Sequence, residues 1–450
     1  MPAGRPAVLR GWGRTSPSPA WLTTPASAEA VAAAITGPPP RGLLARGLGR
    51  SYGDAAQNAG GLVLAPFCLA PPSLDVAGRT VTAGGGESVD RLLRLLLPHG
   101  LTLPVLPGTR FLTLAGAVAA DVHGKNHSGD GSIGRWVREL VLLDGCGELR
   151  RLSATEDSDA FWATVGGMGL TGVILSVTVR LLAVVTSRLR VLRRRVVDFD
   201  AAVEALGEPN PHRYAVAWLD CLADGPALGR GVVEWADHAS PEELPPAERA
   251  QPLRYRPRRP PPAPPAPAGL LRPQLLRAAN AARFRRTPAE QSTLVGFPSY
   301  FHQLDALGSW SRLYGPAGLV QYQFLVPDGA ERLLRGAVEA LRSRAVPPYL
   351  VVLKRHGAGT PAPLSFPAPG WSLAIDVPAG APGLAPVLDH LDEQVAAAGG
   401  RIYLAKDSRL RPDVVPAMYP ELPRWRTVRD RLDPDRRFRS DLDRRIGLSG

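Results

Sequence analysis

Residues 41–54, RGLLARGLGRSYGD, pass from an apolar run into a glycine loop. A strand feeding G-x-G invites a dinucleotide fold. That fingerprint is G-x-G-x-x-G opening a helix, with an acid about 20 residues further on. Here Gly47, Gly49 and Gly53 give G-x-G-x-x-x-G, and the DAAQNAGGLVL that follows has no 3.6-residue period. The spacing argues against a Rossmann unit. It leaves a loop in which glycine uncovers backbone N–H groups, the material of an anion-binding concavity.

Two further stretches share this texture: PGTRFLTLAGAVAADVHG (107–124) and GGMGLTG (166–172). Several such loops suit a long ligand carrying a pyrophosphate better than a single phosphate. Ordinary turns are the plainer reading, since the chain has 47 glycines to place.

Between the loops the pattern alternates strand and helix. RTVTAGGG (79–86) reads as strand then turn. SVDRLLRLLLPHG (88–100) reads as an amphipathic helix, capped by Ser88, with Val89, Leu92, Leu93, Leu96 and Leu97 at helical spacing and Pro98 and Gly100 as the stop. FLTLAGAVAADVHG (111–124) predicts a helix of small residues, and VRELVLLDGCGELRRL (137–152) a hairpin turning at Asp144-Gly145. DAFWATVGGMGLTGVILSVTVRLL (159–182) predicts a short helix, a glycine turn and a long β-branched strand. After about Leu182 the strand-like pieces RYAVAWLDCL, LVQYQFLVP, PYLVVLKRHG and WSLAIDVP alternate with helices such as GAERLLRGAVEALRSRA. The class expected is α+β, with a mostly antiparallel sheet in the second part.

At 450 residues the chain is long for one core, so two domains are expected. Cys68, Cys146 and Cys221 are too scattered for a disulfide framework and point to a reducing compartment. No secretory signal peptide and no apolar run long enough for a membrane span are evident, so a cytoplasmic protein is expected. The net charge of +12 raises the question of nucleic acid. Nine arginines and no acid fall in residues 251–288, and without them 44 cations face 41 anions. The basicity belongs to one Pro/Arg tract and no nucleic-acid motif accompanies it. Residues 251–290 are expected to form a mobile surface excursion, because proline at that density builds no core.

Of 53 cationic residues only Lys125, Lys354 and Lys406 are lysine. A lysine pKa moves readily on desolvation, whereas a guanidinium stays charged. Each of the three is a candidate for chemistry that arginine cannot perform; chance retention is the alternative. In DVHGKNHSGDGS (121–132), His123 and His127 flank Lys125 at i, i+4 spacing. Gly124 argues against a continued helix and no third ligand is evident, so no metal is assigned.

The motifs ARGLGRSYGD, LPGTRFLTLAGAVAADVHGKNHSGDGSIGRWVREL, FWATVGGMGLTG, YGPAGLVQYQF, APLSFPAPGW and YLAKDSR together resemble those of the FAD-dependent decaprenylphosphoryl-β-D-ribose oxidases. These are vanillyl-alcohol-oxidase-like flavoproteins. The resemblance runs in order from GWGRT to DPDRRFRSDLDRR. It implies a split, two-subdomain PCMH-type FAD-binding domain, here 1–184 with 401–450, around an α+β substrate domain of 185–400. By motif match, Ala45, Arg46, Gly47, Leu48, Gly49, Arg50, Ser51, Tyr52, Gly53, Asp54 and Ala55 wrap the FAD pyrophosphate. Gly108, Thr113, Leu114, Ala115, Gly116, Ala120, Asp121, Val122 and His123 continue the flavin site, which Ile174 and Tyr403 complete. Many relatives tether the flavin to a histidine where Arg50 stands, so a non-covalent FAD is implied.

The resemblance also implies oxidation of a ribose secondary hydroxyl to a ketone on a polyprenyl phosphate, with hydride passing to the flavin. Lys406 and His123 are the candidate bases, and Lys125 is grouped with them as catalytic. Substrate contacts are expected from Lys125, Trp218, Phe301, Gln321, Gln323, Lys354, Ser372, Ala374 and Lys406. A separate NADH-dependent short-chain reductase would reduce the ketone. The Pro/Arg tract is expected to touch an anionic membrane surface. Ser372 and Ala374 replace the Asn and Cys of mycobacterial enzymes, and His356 replaces an aromatic residue. A different sugar, or an alditol oxidase of a specialised pathway, is therefore the alternative. A nicotinamide dehydrogenase would be colourless, and a basic binding protein would bind salt-sensitively with no cofactor.

Overall fold

The computed structural model describes residues 4–209, 211–258, 260–267 and 269–450. Arg259 of the basic tract lies outside them. The first half builds two small sheets. One is four-stranded, ordered Arg5–Leu9, Ser18–Thr23, Leu62–Leu64, Leu43–Ala45, with the last two pairings parallel. The other is an antiparallel five-stranded sheet of Ser73–Asp75, Thr80–Gly84, Val173–Arg180, Val137–Leu143 and Leu149–Leu152. In its central strand, Val173, Val177 and Val179 are buried while Ser176 and Thr178 are partly exposed, the alternation a half-covered sheet requires.

The helix foreseen after Ser88 spans Val89–Leu96, and the Ser88 hydroxyl accepts from Arg91 N. Leu92, Leu93 and Leu96 are fully buried. The small-residue helix is shorter than its sequence suggests. It covers only Leu114–Ala119, because Asp121 adopts φ +39° and turns the chain out of the helix. Asp is among the few non-glycine residues that enter this region readily.

Beyond Arg188 the strands form one eight-stranded sheet, antiparallel throughout. Its order is Glu290–Gly296, Arg188–Val196, Arg230–His238, Tyr214–Asp220, Leu350–His356, Gly370–Pro378, Leu319–Val326, Arg401–Ile402. The register sets Val232, Trp218, Val352, Ala374 and Gln323 side by side in a single row across five strands. This row becomes the floor of the site.

The C-terminal segment returns to the first half. Leu43 N donates to Arg437 O at 2.9 Å and Arg439 N to Leu43 O at 3.0 Å, which extends the strand that leads into the glycine loop. Arg429 and Asp433, both fully buried, are paired at 3.1 Å beneath this contact.

The Pro/Arg tract departs from the mobile excursion expected. Proline lacks an N–H but keeps its carbonyl, and carbonyls of the tract are bound: Arg94 donates to Pro257 O, Gly308 N to Pro261 O, and Arg110 to the neighbouring Arg258 O. Residues Pro273–Arg286, with four alanines and two leucines among good helix formers, form a 14-residue helix. It packs on the sheet, with Asn280 donating to Asp220 at 3.0 Å. Proline density misled because it is confined to the first half of the tract.

Candidate active site

Between the glycine loops and the sheet lies an elongated cavity of about 450 Å³. One end is made of backbone. Residues 45–52 line it, yet among the described residues the N–H groups of Gly47, Leu48, Gly49, Arg50 and Ser51 donate to no protein acceptor. Five successive donors without a protein partner, on residues that line one cavity, can serve an anionic ligand. The loop is folded by Arg46, which donates to Ala56 O at 2.6 Å and Arg10 O at 2.7 Å. Gly49 has φ +65°, and a Cβ there would strike the Arg46 guanidinium. Gly108, Thr113, Ala115, Gly116, Ala120, Val122, Ile174 and Tyr403 also line the cavity, as do Met168, Gly169 and Gly172.

Five of the expected residues do not line the cavity; the structure gives them supporting places. Gly53 packs against the Asp407 carbonyl. Asp54 receives Arg445 at 2.7 and 2.9 Å, and Arg445 also holds Asp407, so the loop is tied to the 403–407 turn. Leu114 is fully buried in the core. Asp121, also fully buried, accepts from Ser132, Ser365, Thr360 and Gly134 N, fixing the loop that carries His123. Ser372 lies 3.3 Å behind the Gln323 amide.

The other end of the cavity is the sheet face. Trp218, Gln321, Gln323, Lys354 and Ala374 line it, with Phe301 and Lys125 from the wall and Lys406 from the turn. The glutamines share a side as their spacing predicts, but both have protein partners. Gln321 donates to Asp376 at 2.5 Å. Gln323 Nε2 is 2.9 Å from His123 Nε2, a contact that joins the two halves of the chain. An amide donor requires that ring nitrogen to accept, which puts the ring proton on Nδ1.

The three lysines do converge on this cavity, in different states. Lys125 donates to Tyr300 O at 2.8 Å and lies 3.6 Å from Glu234. It is held in place. Lys354 and Lys406 donate to no described protein group, though Lys406 Nζ lies 3.8 Å over the Tyr52 ring. Burial draws Lys125 and Lys354 down to about 8, and Lys406 to about 7, where the buried carboxyl of Asp376 opposes the fall. Asp376 itself is pushed up to about 7, also by burial. Burial, reinforced by Lys354, holds His123 well below the usual imidazole range.

His127 and His356 sit behind His123 as a stacked pair, centroids 4.4 Å apart. His127 Nδ1 accepts from Gly357 N at 3.2 Å, so the first reading of this segment as a flavin and substrate wall describes His123 and Lys125 but not His127. Sequence reasoning missed Trp12, Asp305, Glu234 and Arg283, all of which line the cavity. Glu234 had a signal, an acid flanked by apolar residues in the strand segment GVVEWA.

Arg50 lines the cavity with its side chain already engaged by the wall. Its Nε donates to Phe111 O at 2.7 Å and its guanidinium stacks 4.0 Å over Trp12.

The comparisons agree with this geometry. A family model described as an FAD binding domain matches residues 19–153, which contain the glycine loop, the Leu114–Ala119 helix and His123. The decaprenylphosphoryl-beta-D-ribose oxidase of Mycolicibacterium smegmatis is 38% identical over 98% of this chain and 97% of its own length. An uncharacterized protein in the mprA 5′ region of Streptomyces coelicolor is 42% identical over 80% of this chain and all of its own. L-gulonolactone oxidase 5 of Arabidopsis thaliana is 27% identical over 42% of this chain. The five free N–H groups fit a pyrophosphate, and the cavity between them and the lysines fits a flavin ring. The chain belongs to the decaprenylphosphoryl-beta-D-ribose oxidase family: it is an FAD-dependent oxidoreductase.

Proposed function

We propose that the chain oxidises a secondary hydroxyl of a polyprenylphosphoryl ribose to a ketone, with FAD held non-covalently. The observation that carries this reading is one cavity joining an N–H-lined anion cradle to a sheet face bearing Lys354, Lys406 and Gln321. Bound FAD supplies a two-electron acceptor for the hydrogen on the alcohol carbon. The protein must supply a base for the hydroxyl proton. Lys406 is suited to it, since at about 7 half of its amines are neutral and able to accept. His123 is held too far below its usual range to take a proton as well, and we assign it to orienting Gln323. Lys125, engaged by Tyr300 and Glu234, positions the wall; Lys354 is free to donate to a sugar oxygen.

In this reading the flavin domain is 1–184 with 401–450 and the substrate domain 185–400. The return of Arg437–Arg439 to Leu43 supports the division, and seven of the eight strands of the large sheet fall within 185–400, the two-residue strand Arg401–Ile402 being its edge. A separate NADH-dependent short-chain reductase would complete the epimerisation on the ketone. No described helix is long and apolar enough to cross a membrane. Leu270 and Leu275, 49% and 64% exposed beside the arginines of the tract, support peripheral contact with an anionic lipid surface.

With Arg50 clamped between Trp12 and Phe111, the yellow colour passes an ultrafiltration membrane after denaturation; colour retained with the protein would contradict a non-covalent FAD. Because the neutral amine is the active form, kcat/KM for polyprenylphosphoryl ribose rises with pH to a plateau above about 7. Lys406→Met lowers kcat by roughly 10²–10⁴-fold without loss of FAD, and Lys406→Arg, unable to deprotonate, fails equally. Near-normal turnover by Lys406→Arg would show that charge alone suffices. Because the tract walls the cavity, membrane contact is tested by point changes: Leu270→Ser with Leu275→Ser lowers co-sedimentation with anionic liposomes several-fold, and unchanged sedimentation removes the membrane role.

A further inference from the structure

A second recess adjoins the main cavity. The two share Glu234, Arg283 and Gln303, and the recess adds Arg193, Arg286 and Gln291. Its charges are uneven. Glu234 is already taken on both oxygens, by Arg193 at 2.8 Å and by Lys125 at 3.6 Å. Arg193 is further committed to Thr293 at 3.0 Å. Arg283 and Arg286 donate from their guanidinium groups to no described residue. Three arginines therefore face one carboxylate, and two of them have donors to spare.

Both spare arginines come from the Pro273–Arg286 helix. Cations in the last turn complement the helix dipole, and that accounts for a basic run there. It does not account for the direction of Arg283. Its guanidinium lies 4.1 Å over the ring of Trp218, which is part of the floor row. The helix thus carries a cation from the surface tract to the lip of the substrate cavity.

We infer that this recess is the anion subsite of the enzyme, taking a phosphate group carried by the sugar that lies over Trp218, with Arg283 as its principal specificity residue and Arg286 as its second. The inference rests on the proposed function and adds the place where the phosphate is read. A guanidinium presents paired donors that match two phosphate oxygens, and the ring beneath Arg283 limits the directions it can adopt. Glu234, the one carboxylate in the recess, is neutralised by its two partners and so does not repel the anion.

The test is calorimetric binding to the FAD-loaded enzyme, with turnover as a second readout. Farnesyl phosphate and inorganic phosphate serve as probes. Arg283→Met, which keeps the stem over Trp218, weakens farnesyl phosphate binding about tenfold, and Arg283→Lys recovers part of it. Arg286→Met, at an exposed position, gives a smaller loss and guards against misfolding of the first variant. Inorganic phosphate bound as well as farnesyl phosphate assigns the recess to phosphate alone; preference for farnesyl phosphate assigns it to the lipid-linked group. In turnover, Arg283→Met raises KM for farnesylphosphoryl ribose about tenfold with kcat nearly unchanged, while kcat/KM for methyl β-D-ribofuranoside stays the same. Unchanged phosphate binding in both variants overturns the proposal, as does an equal loss with the phosphate-free riboside, which marks Arg283 as plain wall. Binding that depends on Arg283 in an enzyme that turns over neither riboside would keep the anion subsite and reject the ribose reading instead.

Discussion

Five consecutive backbone N–H groups with no acceptor among the described residues are the constraint around which the rest of the molecule is arranged. Such donors are tolerated only if a ligand or water meets them. Keeping them pointed at one space requires a loop that cannot relax. Arg46 folds it from within, the Asp54–Arg445–Asp407 cluster ties it to the C-terminal turn, and the Leu43 pairing with Arg437–Arg439 fixes its entry strand. The last fifty residues return to brace a loop laid down near residue 45.

The second constraint is charge on the opposite wall. Burial makes all three lysines less basic, with Lys125 adding to the fall at Lys354 and Lys354 to that at Lys406. Lys125 is engaged by Glu234 and Tyr300, while Lys354 and Lys406 have no acceptor among the described residues. An arginine at 406 would fill the same space and stay protonated, which is why the scarcity of lysine in an arginine-rich chain was informative. The Gln323–His123 contact holds the two walls together, so the distance between cradle and lysines is set by the backbone of both domains.

Much of the fold was legible because its signals are local. Ser88 caps the helix it precedes, Val177 and Val179 alternate with polar neighbours, and Gln321 and Gln323 share a strand face. The structure brings the glycine loop and the three lysines to one cavity. What could not be read was which loop residues touch the cavity and which brace it. Gly53, Asp54, Leu114 and Asp121 belong to the motifs, yet their partners Arg445, Asp407 and Ser365 lie hundreds of residues away. The proline tract misled for a related reason. Composition showed that it has no core of its own, while its carbonyls find Arg94 and Arg110 only in three dimensions. Arg283 was hidden inside that tract, and only the helix places it over Trp218.

The most direct measurement of the account is an anaerobic titration of the purified, yellow enzyme with polyprenylphosphoryl ribose, followed at the visible flavin band. The account predicts bleaching at about one equivalent of substrate, with the ketone as product. A spectrum unchanged by excess substrate, or a colourless protein that takes up no FAD, would contradict it.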